Sequence, residues 1–346
     1  MTFQLKPFRI GTIEVPLPVV LAPLAGYSDL PYRIICRRLG VKYCTTEMML
    51  DKMVLIAGRL QNRMMAMTEE DHPVAGQLIG NMPDEMVQAA EVLCRKGFDA
   101  VDINFACPVR KALSRKRGGY MMTQAQQCGE IVRAVVRACD RPVTLKVRQK
   151  FKKAHDTEAF FAIADEAFAA GIASLCVHAR SVEIKYAGRA DWDFLAAVKQ
   201  RYADKTIMGS GDILRPQAAL DMLGQTGVDA VAVARGGLGN PWFFRQVQDL
   251  AAGREMYRPT IAEQRDVIER HFAHAVELYG PLKGPKIMRK FGIKYARMHP
   301  TPSKLRVAFV AVKKSQQWQE VLNKYYTAEY EGHRPAEPHP IDPSEF

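Results

Sequence analysis

Eight short apolar runs recur along the first 250 residues, and the stretches between them read as helices. The runs lie at 19–22, 43–46, 74–79, 100–104, 143–147, 174–178, 206–209 and 230–234. Several are rich in Val and Ile without alternation, as strands buried on both faces read. Between them, segments such as 83–96, 125–139 and 158–170 carry apolar residues at helical spacing. A strand–helix unit repeated eight times predicts an α/β fold, a (β/α)₈ TIM barrel over residues 1–250. The alternative is an open doubly wound sheet. No GxGxxG follows the first run, which counts against a dinucleotide-binding unit. After residue 251 strand patterns stop. Segments 261–279, 285–298, 303–312 and 316–326 predict a smaller all-helical C-terminal domain over 251–330, and 331–346 reads as a flexible Pro-rich tail.

In such a barrel, chemistry sits at the C-terminal ends of the strands. The first run leads into Ala22-Pro23-Leu24-Ala25-Gly26, small enough for a flat ligand to approach the backbone or for an ordinary tight turn. Gln77, inside the third run, needs a partner if buried and could serve the edge of a heterocycle. The fourth run ends in Asn104-Phe105-Ala106-Cys107-Pro108. A thiol there is protonated at neutral pH and can act as a general acid. A small buried hydrophobe is the other reading, and it suits Cys94 and Cys139 in their helical segments. Arg110, Lys111, Arg115, Lys116 and Arg117 follow, with no acid from Ile103 to Gly129. At a site mouth this run suits phosphate better than a merely solvated face. Lys146 stands inside the fifth run, where burial demands a partner or a role. His178 and Arg180 share one side of the sixth strand. Ser210-Gly211-Asp212 and Ala234-Arg235-Gly236-Gly237 are glycine turns after the last two strands, where a phosphate site recurs in this fold.

The formal net charge of +12 favours an anionic partner. From Pro281 to Lys314 there are ten Lys or Arg and no Asp or Glu. Lys286, Lys290, Lys294 and Arg297 fall on one helical face, which suits either an anionic partner or a solvated surface. The seven cysteines include no CxxC pair, which argues against a disulfide framework or a metal site and suits a reducing cytoplasm. No apolar stretch approaches the ~20 residues of a membrane span. The expectation is a cytoplasmic monomer with no membrane contact.

Taken together, these segments resemble the tRNA-dihydrouridine synthases, the bacterial Dus family, over nearly the whole chain. The resemblance is carried by Ala22–Gly26 with Ser28-Asp29, Glu47-Met48, Gln77, Asp102-Ile103-Asn104, Cys107-Pro108 and Lys146-Val147-Arg148. It continues through His178-Ala179-Arg180, Gly211-Asp212-Ile213, Ala234-Arg235-Gly236 and Gly239-Asn240-Pro241-Trp242. It implies FMN at the barrel mouth, with Pro23, Leu24, Ala25, Gln77 and Lys146 on its ring and His178 beside it. Ser210, Gly211, Asp212, Ala234 and Arg235 would surround the ribityl chain and phosphate. NADPH or NADH would reduce the flavin, hydride would pass to C6 of a tRNA uracil, and Cys107 would protonate C5. Asn104, Arg180, Arg110, Lys111 and Arg115 would meet the RNA substrate with the four cations of the helical domain. The chain departs from the family at Phe105-Ala106, usually Met-Gly, at Arg117 to Tyr120, and at Ser210, usually Asn. The same reaction on rRNA, a small-molecule dihydroorotate-type flavin dehydrogenase, and a non-catalytic RNA-binding protein are the competing readings.

Overall fold

Residue parity divides the barrel into two unlike sets. In the computed structural model, which describes residues 2–154 and 156–330, the strands are β1 (Phe8–Ile10), β2 (Ile13–Val15), β3 (Val19–Leu21), β4 (Cys44–Thr45), β5 (Met49–Leu50), β6 (Val74–Ile79), β7 (Ala100–Phe105), β8 (Val143–Lys150), β9 (Ser174–Ser181), β10 (Ile207–Ser210) and β11 (Ala230–Val233). Val19, Leu21, Val101, Ile103, Val143, Leu145 and Val177 point outward and pack beneath the surrounding helices. Their neighbours Val20, Ala75, Ala100, Cys176, Met208, Ala230 and Ala232 form a separate interior cluster with Phe8, Ile10 and Val15. Side chains one residue apart on a strand face opposite ways, so each strand feeds both cores. The runs show no polar alternation because both faces are buried; the alternation is between large aliphatic and small residues.

β3, β4 and β6 to β11 make a closed ring of parallel strands, with β11 returning to pair with β3. The antiparallel β1–β2 hairpin plugs its lower end and was not expected from the sequence, each strand being only three residues long. The expected run 43–46 shortens to β4, and after a break the chain pairs with β6 again through β5. Thr46 accounts for the break, since its hydroxyl, not a backbone carbonyl, accepts the Gln77 N–H (3.0 Å). β8 and β9 run three residues beyond their expected ends and carry Arg148 and Arg180 past the rim.

The helical region comprises Ile261–Tyr279, Gly284–Tyr295, Pro302–Ala311 and Ser315–Tyr325. A capping box of Thr260 and Glu263 starts the first of these. The expected 285–298 helix tightens into a 3₁₀ turn at Ala296–Met298. The region shares one continuous core with the outer barrel. Tyr32, on the barrel helix Leu30–Arg38, lies 5.4 Å from Phe291 and 5.7 Å from His271, ring centre to ring centre. Tyr279 donates to Asp29 (2.8 Å), the residue that caps helix Leu30–Arg38. None of the described helices is long and apolar enough to cross a membrane. The expected tail at 331–346 lies outside the described residues.

Candidate active site

Above the interior alanines the inward positions turn polar. Gln77 pairs across strands with Asp102, Asp102 with Thr144, Asn104 with Lys146, and Ser210 with His178. They lead up to a cavity of about 440 Å³ at the C-terminal mouth, within the roughly 300–1,000 Å³ of small-molecule sites. Pro23, Leu24 and Ala25 line one side, and Gln77, Asn104 and Lys146 rise from the interior. His178, Ser210, Gly211, Asp212, Ala234 and Arg235 also line it, and Cys107 and Arg110 do so from the fourth barrel strand's loop. Tyr27, Met48, Arg148, Lys185 and Tyr186 line it too and were not foreseen as site residues. The break between β4 and β5 is what admits Met48. Lys185 and Tyr186 come from a loop that folds back over the rim, which no strand periodicity could have indicated.

Cys107 is held from both sides. Its N–H donates to Asn104 Oδ1 (3.0 Å), and its carbonyl accepts from Gly119 N (2.9 Å). Only 7% of the residue is exposed, and burial pushes the thiol up in pKa, so it carries its proton at neutral pH. Gly118 closes over it at φ +58; a Cβ there would stand 2.8 Å from that of Cys107. Arg117 approaches the buried carboxylate of Asp51 (3.8 Å), which gives the sequence's bulky departure a structural partner. Lys146 is 8% exposed and donates to Cys176 Sγ at 3.4 Å.

Positive charge crowds the far wall. Arg148 donates to the carbonyls of Ala106 (2.9 Å), Ser181 (3.0 Å) and Lys185 (2.7 Å), and burial pulls its pKa down to about 10. Tyr186 sits between two guanidiniums, 5.7 Å from Arg148 and 4.8 Å from Arg235. Burial, with Arg148, Lys146, Arg180 and Arg235 nearby, holds the His178 imidazole well below its usual pKa, so it is neutral. Neutral imidazole offers one donor and one acceptor.

Arg180 is placed differently from its expected substrate-side role. It is 1% exposed and lies behind the cavity, bonded to the carbonyls of Ala187 (3.1 Å) and Gly188 (2.6 Å) and to Asp212 Oδ1 (2.6 Å). It braces the loop behind His178 and lines the adjoining cleft, which shares Tyr186, Asp212 and Arg235 with the cavity. The turns after β10 and β11 touch closely: a Cβ on Gly236 would meet the Ile213 carbonyl at 2.3 Å. Only glycine lets these two backbones meet.

The basic helix also faces differently. Lys294 is 4% exposed, Lys290 binds the Gly26 carbonyl and stacks 5.0 Å from Tyr27, and Arg297 donates to the Leu238 carbonyl (3.1 Å). Helical spacing put these cations on one face, and that face meets the barrel. Asp29 and Glu47 attract Lys290 there. Lys286, with Lys283 and Arg289, is exposed, as are Lys111 and Arg115 beside the site. Among the described residues no group of three or more His, Cys, Asp or Glu side chains could hold a metal ion.

The lining fits a planar heterocycle with an anionic tail. Ala22, Ala25, Ala232 and Ala234 leave room for a flat ring, and the lining holds five cations, Arg110, Lys146, Arg148, Lys185 and Arg235, against one carboxylate, Asp212.

Residues 20–330 match the family model described as Dihydrouridine synthase (Dus). A "tRNA-dihydrouridine synthase B" of Pseudomonas aeruginosa is 33% identical over 302 residues, covering 87% of this chain and 90% of that protein. One from Yersinia pestis is 32% identical over 321 residues, 92% of this chain and 98% of the relative. Among solved structures, morphinone reductase in complex with tetrahydroNAD superposes with a TM-score of 0.52 at 17% identity, over 73% of this chain and 92% of that one. A variant of NCR from Zymomonas mobilis gives 0.55 at 17%, over 81% and 98%. The two structures share the barrel fold.

Proposed function

The chain belongs to the dihydrouridine synthase family, and from that premise we propose that it reduces uridines of tRNA to 5,6-dihydrouridine in the cytoplasm, with FMN in the barrel mouth and NADPH or NADH as reductant. The flavin, when bound, supplies hydride to C6 of the uracil. Cys107 Sγ supplies the proton to C5. The observation that carries this reading is the place of the Cys107 thiol: buried, on a backbone held by Asn104 and Gly119, and lining the cavity shared with Lys146.

Each side chain has a task suited to its surroundings. Pro23, Leu24, Ala25, Gln77 and Lys146 hold the ring, with Lys146 stabilising negative charge upon it. Arg235 and the Ser210–Asp212 and Ala234–Gly236 turns hold the phosphate. His178, neutral, offers a hydrogen bond to a ring carbonyl without adding charge. A uracil within folded RNA must leave its stack at a cost of a few kcal/mol. Contacts to the phosphate backbone offset that cost; Arg110, which lines the cavity, and the exposed Lys111 and Arg115 that follow it in the chain would make them. Lys286 and Arg289 extend the exposed basic surface on the helical region.

The test is direct. Purified protein should carry flavin absorbance and, with NADPH, convert tRNA lacking dihydrouridine into tRNA containing it. A colourless protein, or turnover of free pyrimidines in place of tRNA, would overturn the proposal.

A further inference from the structure

A chain of buried hydrogen bonds runs from the barrel interior to the Cys107 backbone. Thr144 Oγ1 donates to Asp102 Oδ1 (2.5 Å), and Gln77 Nε2 donates to Asp102 Oδ2 (2.6 Å). Asn104 Nδ2 donates to Gln77 Oε1 (2.8 Å). Asn104 Oδ1 then accepts from the N–H of Ala106 (2.9 Å) and of Cys107 (3.0 Å). All four side chains are buried. From these bonds we infer that Asp102 is a positioning residue: by fixing the direction of the Gln77 and Asn104 amides, it sets the backbone at Cys107. The role rests on the reading of Cys107 as proton donor, but its geometry does not.

The direction follows from what each group can give. An amide side chain has one donating and one accepting end. The Asp102 oxygen facing Gln77 can only accept, so Gln77 turns its NH₂ inward and its carbonyl toward Asn104. Asn104 must then donate with its NH₂, which leaves Oδ1 for the two backbone N–H groups. Protonation of Asp102 does not reverse this. A neutral carboxyl can donate to Thr144 and still accept from Gln77, so the relay keeps its direction with pH. Arg148 holds the same segment from the other side through the Ala106 carbonyl (2.9 Å). The peptide before the thiol is therefore gripped at its N–H by Asn104 and at its C=O by Arg148. Asn104 and Gln77, read from sequence as substrate and cofactor ligands, are oriented by this scaffold; Gln77 gives one of its two amide hydrogens to Asp102 and still lines the cavity, where the other can meet the ring.

The experiment uses the flavin-loaded enzyme with Asp102→Leu, Asp102→Asn and Asn104→Leu. Two quantities are read: reoxidation of the reduced flavin by tRNA in a single turnover, and the iodoacetamide alkylation rate of Cys107, followed by peptide mass spectrometry across pH. Asp102→Leu removes the acceptor. It should slow tRNA reduction by about 10²-fold, the scale of a misplaced reacting group, and change the Cys107 alkylation rate. Asn104→Leu, at the other end of the relay, should do the same. Asp102→Asn can still accept from Gln77 and donate to Thr144, so it should stay within about threefold of native on both readouts, a loss below about 1 kcal/mol. Native behaviour of Asp102→Leu would overturn the inference, as would an Asp102→Asn defect equal to that of Leu. If Asp102→Leu fails to fold, a native-like Asn104→Leu overturns it. The alkylation arm does not depend on what the thiol does. An altered alkylation rate in an enzyme whose Cys107→Ala form still reduces tRNA would retire the proton-donor reading and leave the relay standing.

Discussion

Gly118→Ala tests how tightly the thiol is held. Gly118 has φ +58, a region that costs an ordinary L-residue about 1–2 kcal/mol. Its new Cβ would lie 2.8 Å from Cys107 Cβ, 3.0 Å from the Cys107 carbonyl oxygen and 3.1 Å from Ile79 Cδ1. Carbon atoms pack at about 3.5–4.0 Å, so the two segments must part by roughly 0.7–1.2 Å. Overpacking of this kind costs a further 1–3 kcal/mol or so, giving a total loss of about 2–5 kcal/mol in a denaturant melt. The displaced segment carries Cys107, and a misplacement of about 1 Å costs on the order of 10²-fold in rate. Stopped-flow mixing of the reduced enzyme with tRNA should show that loss. Reduction of the flavin by NADPH, which needs no thiol, should change by less than about threefold, under 1 kcal/mol. A folded, flavin-loaded Gly118→Ala enzyme with native tRNA reduction would refute the claim that Gly118 fixes Cys107.

Three further outcomes follow from the structure. The buried pair Arg33–Asp71 (2.6 Å) joins helix Leu30–Arg38 to the loop before β6; Asp71→Asn should cost about 3–5 kcal/mol in urea unfolding, since it leaves a buried guanidinium uncompensated. His271 is wholly buried against Tyr295 (2.9 Å) and its pKa falls to about 3, so the folded protein refuses a proton that the unfolded chain accepts below about 6.5. Stability from this group is therefore lost as pH falls from 6.5 toward 3, by about 2 kcal/mol at pH 5, and His271→Gln should flatten that part of a pH series of melts. Charge reversal at Lys286 and Arg289 should weaken tRNA binding and reduce the slope of log Kd against log salt by about 0.7–0.9 for each phosphate no longer neutralised, whereas Lys290→Glu should mainly lower the melting temperature by breaking the junction at Gly26.

Much of this architecture is legible in the chain because parallel strands and their helices leave strong local patterns. The run at 74–79 and the helices at 83–96, 158–170 and 261–279 have the bounds the sequence suggests, since each is set by a turn, a proline, a glycine or a cap. Cys107, Gln77, Lys146 and His178 could be selected because a barrel turns strand ends toward one mouth. The rest depends on tertiary packing that spacing does not encode. Helical periodicity put Lys290 and Lys294 on one face; only the packing against Tyr27 and Gly26 shows that the face is turned inward. Arg180 shares the inward side of β9 with His178, but its bonds to the loop at 187–188 turn it toward the adjoining cleft. Arg148 looks from sequence like one more cation at a strand end. Its bonds to three carbonyls, one beside the thiol, one at the end of β9 and one in the turn after it, make it a clamp on the thiol's loop.

The proton on Cys107 is the centre of the account. Cys107→Ala should keep native flavin content and native reoxidation of the reduced enzyme by oxygen, while reoxidation by tRNA collapses by at least about 10²-fold, the usual worth of a positioned general acid. Native tRNA reduction without the thiol, or loss of flavin equal to the loss of tRNA reduction, would contradict it.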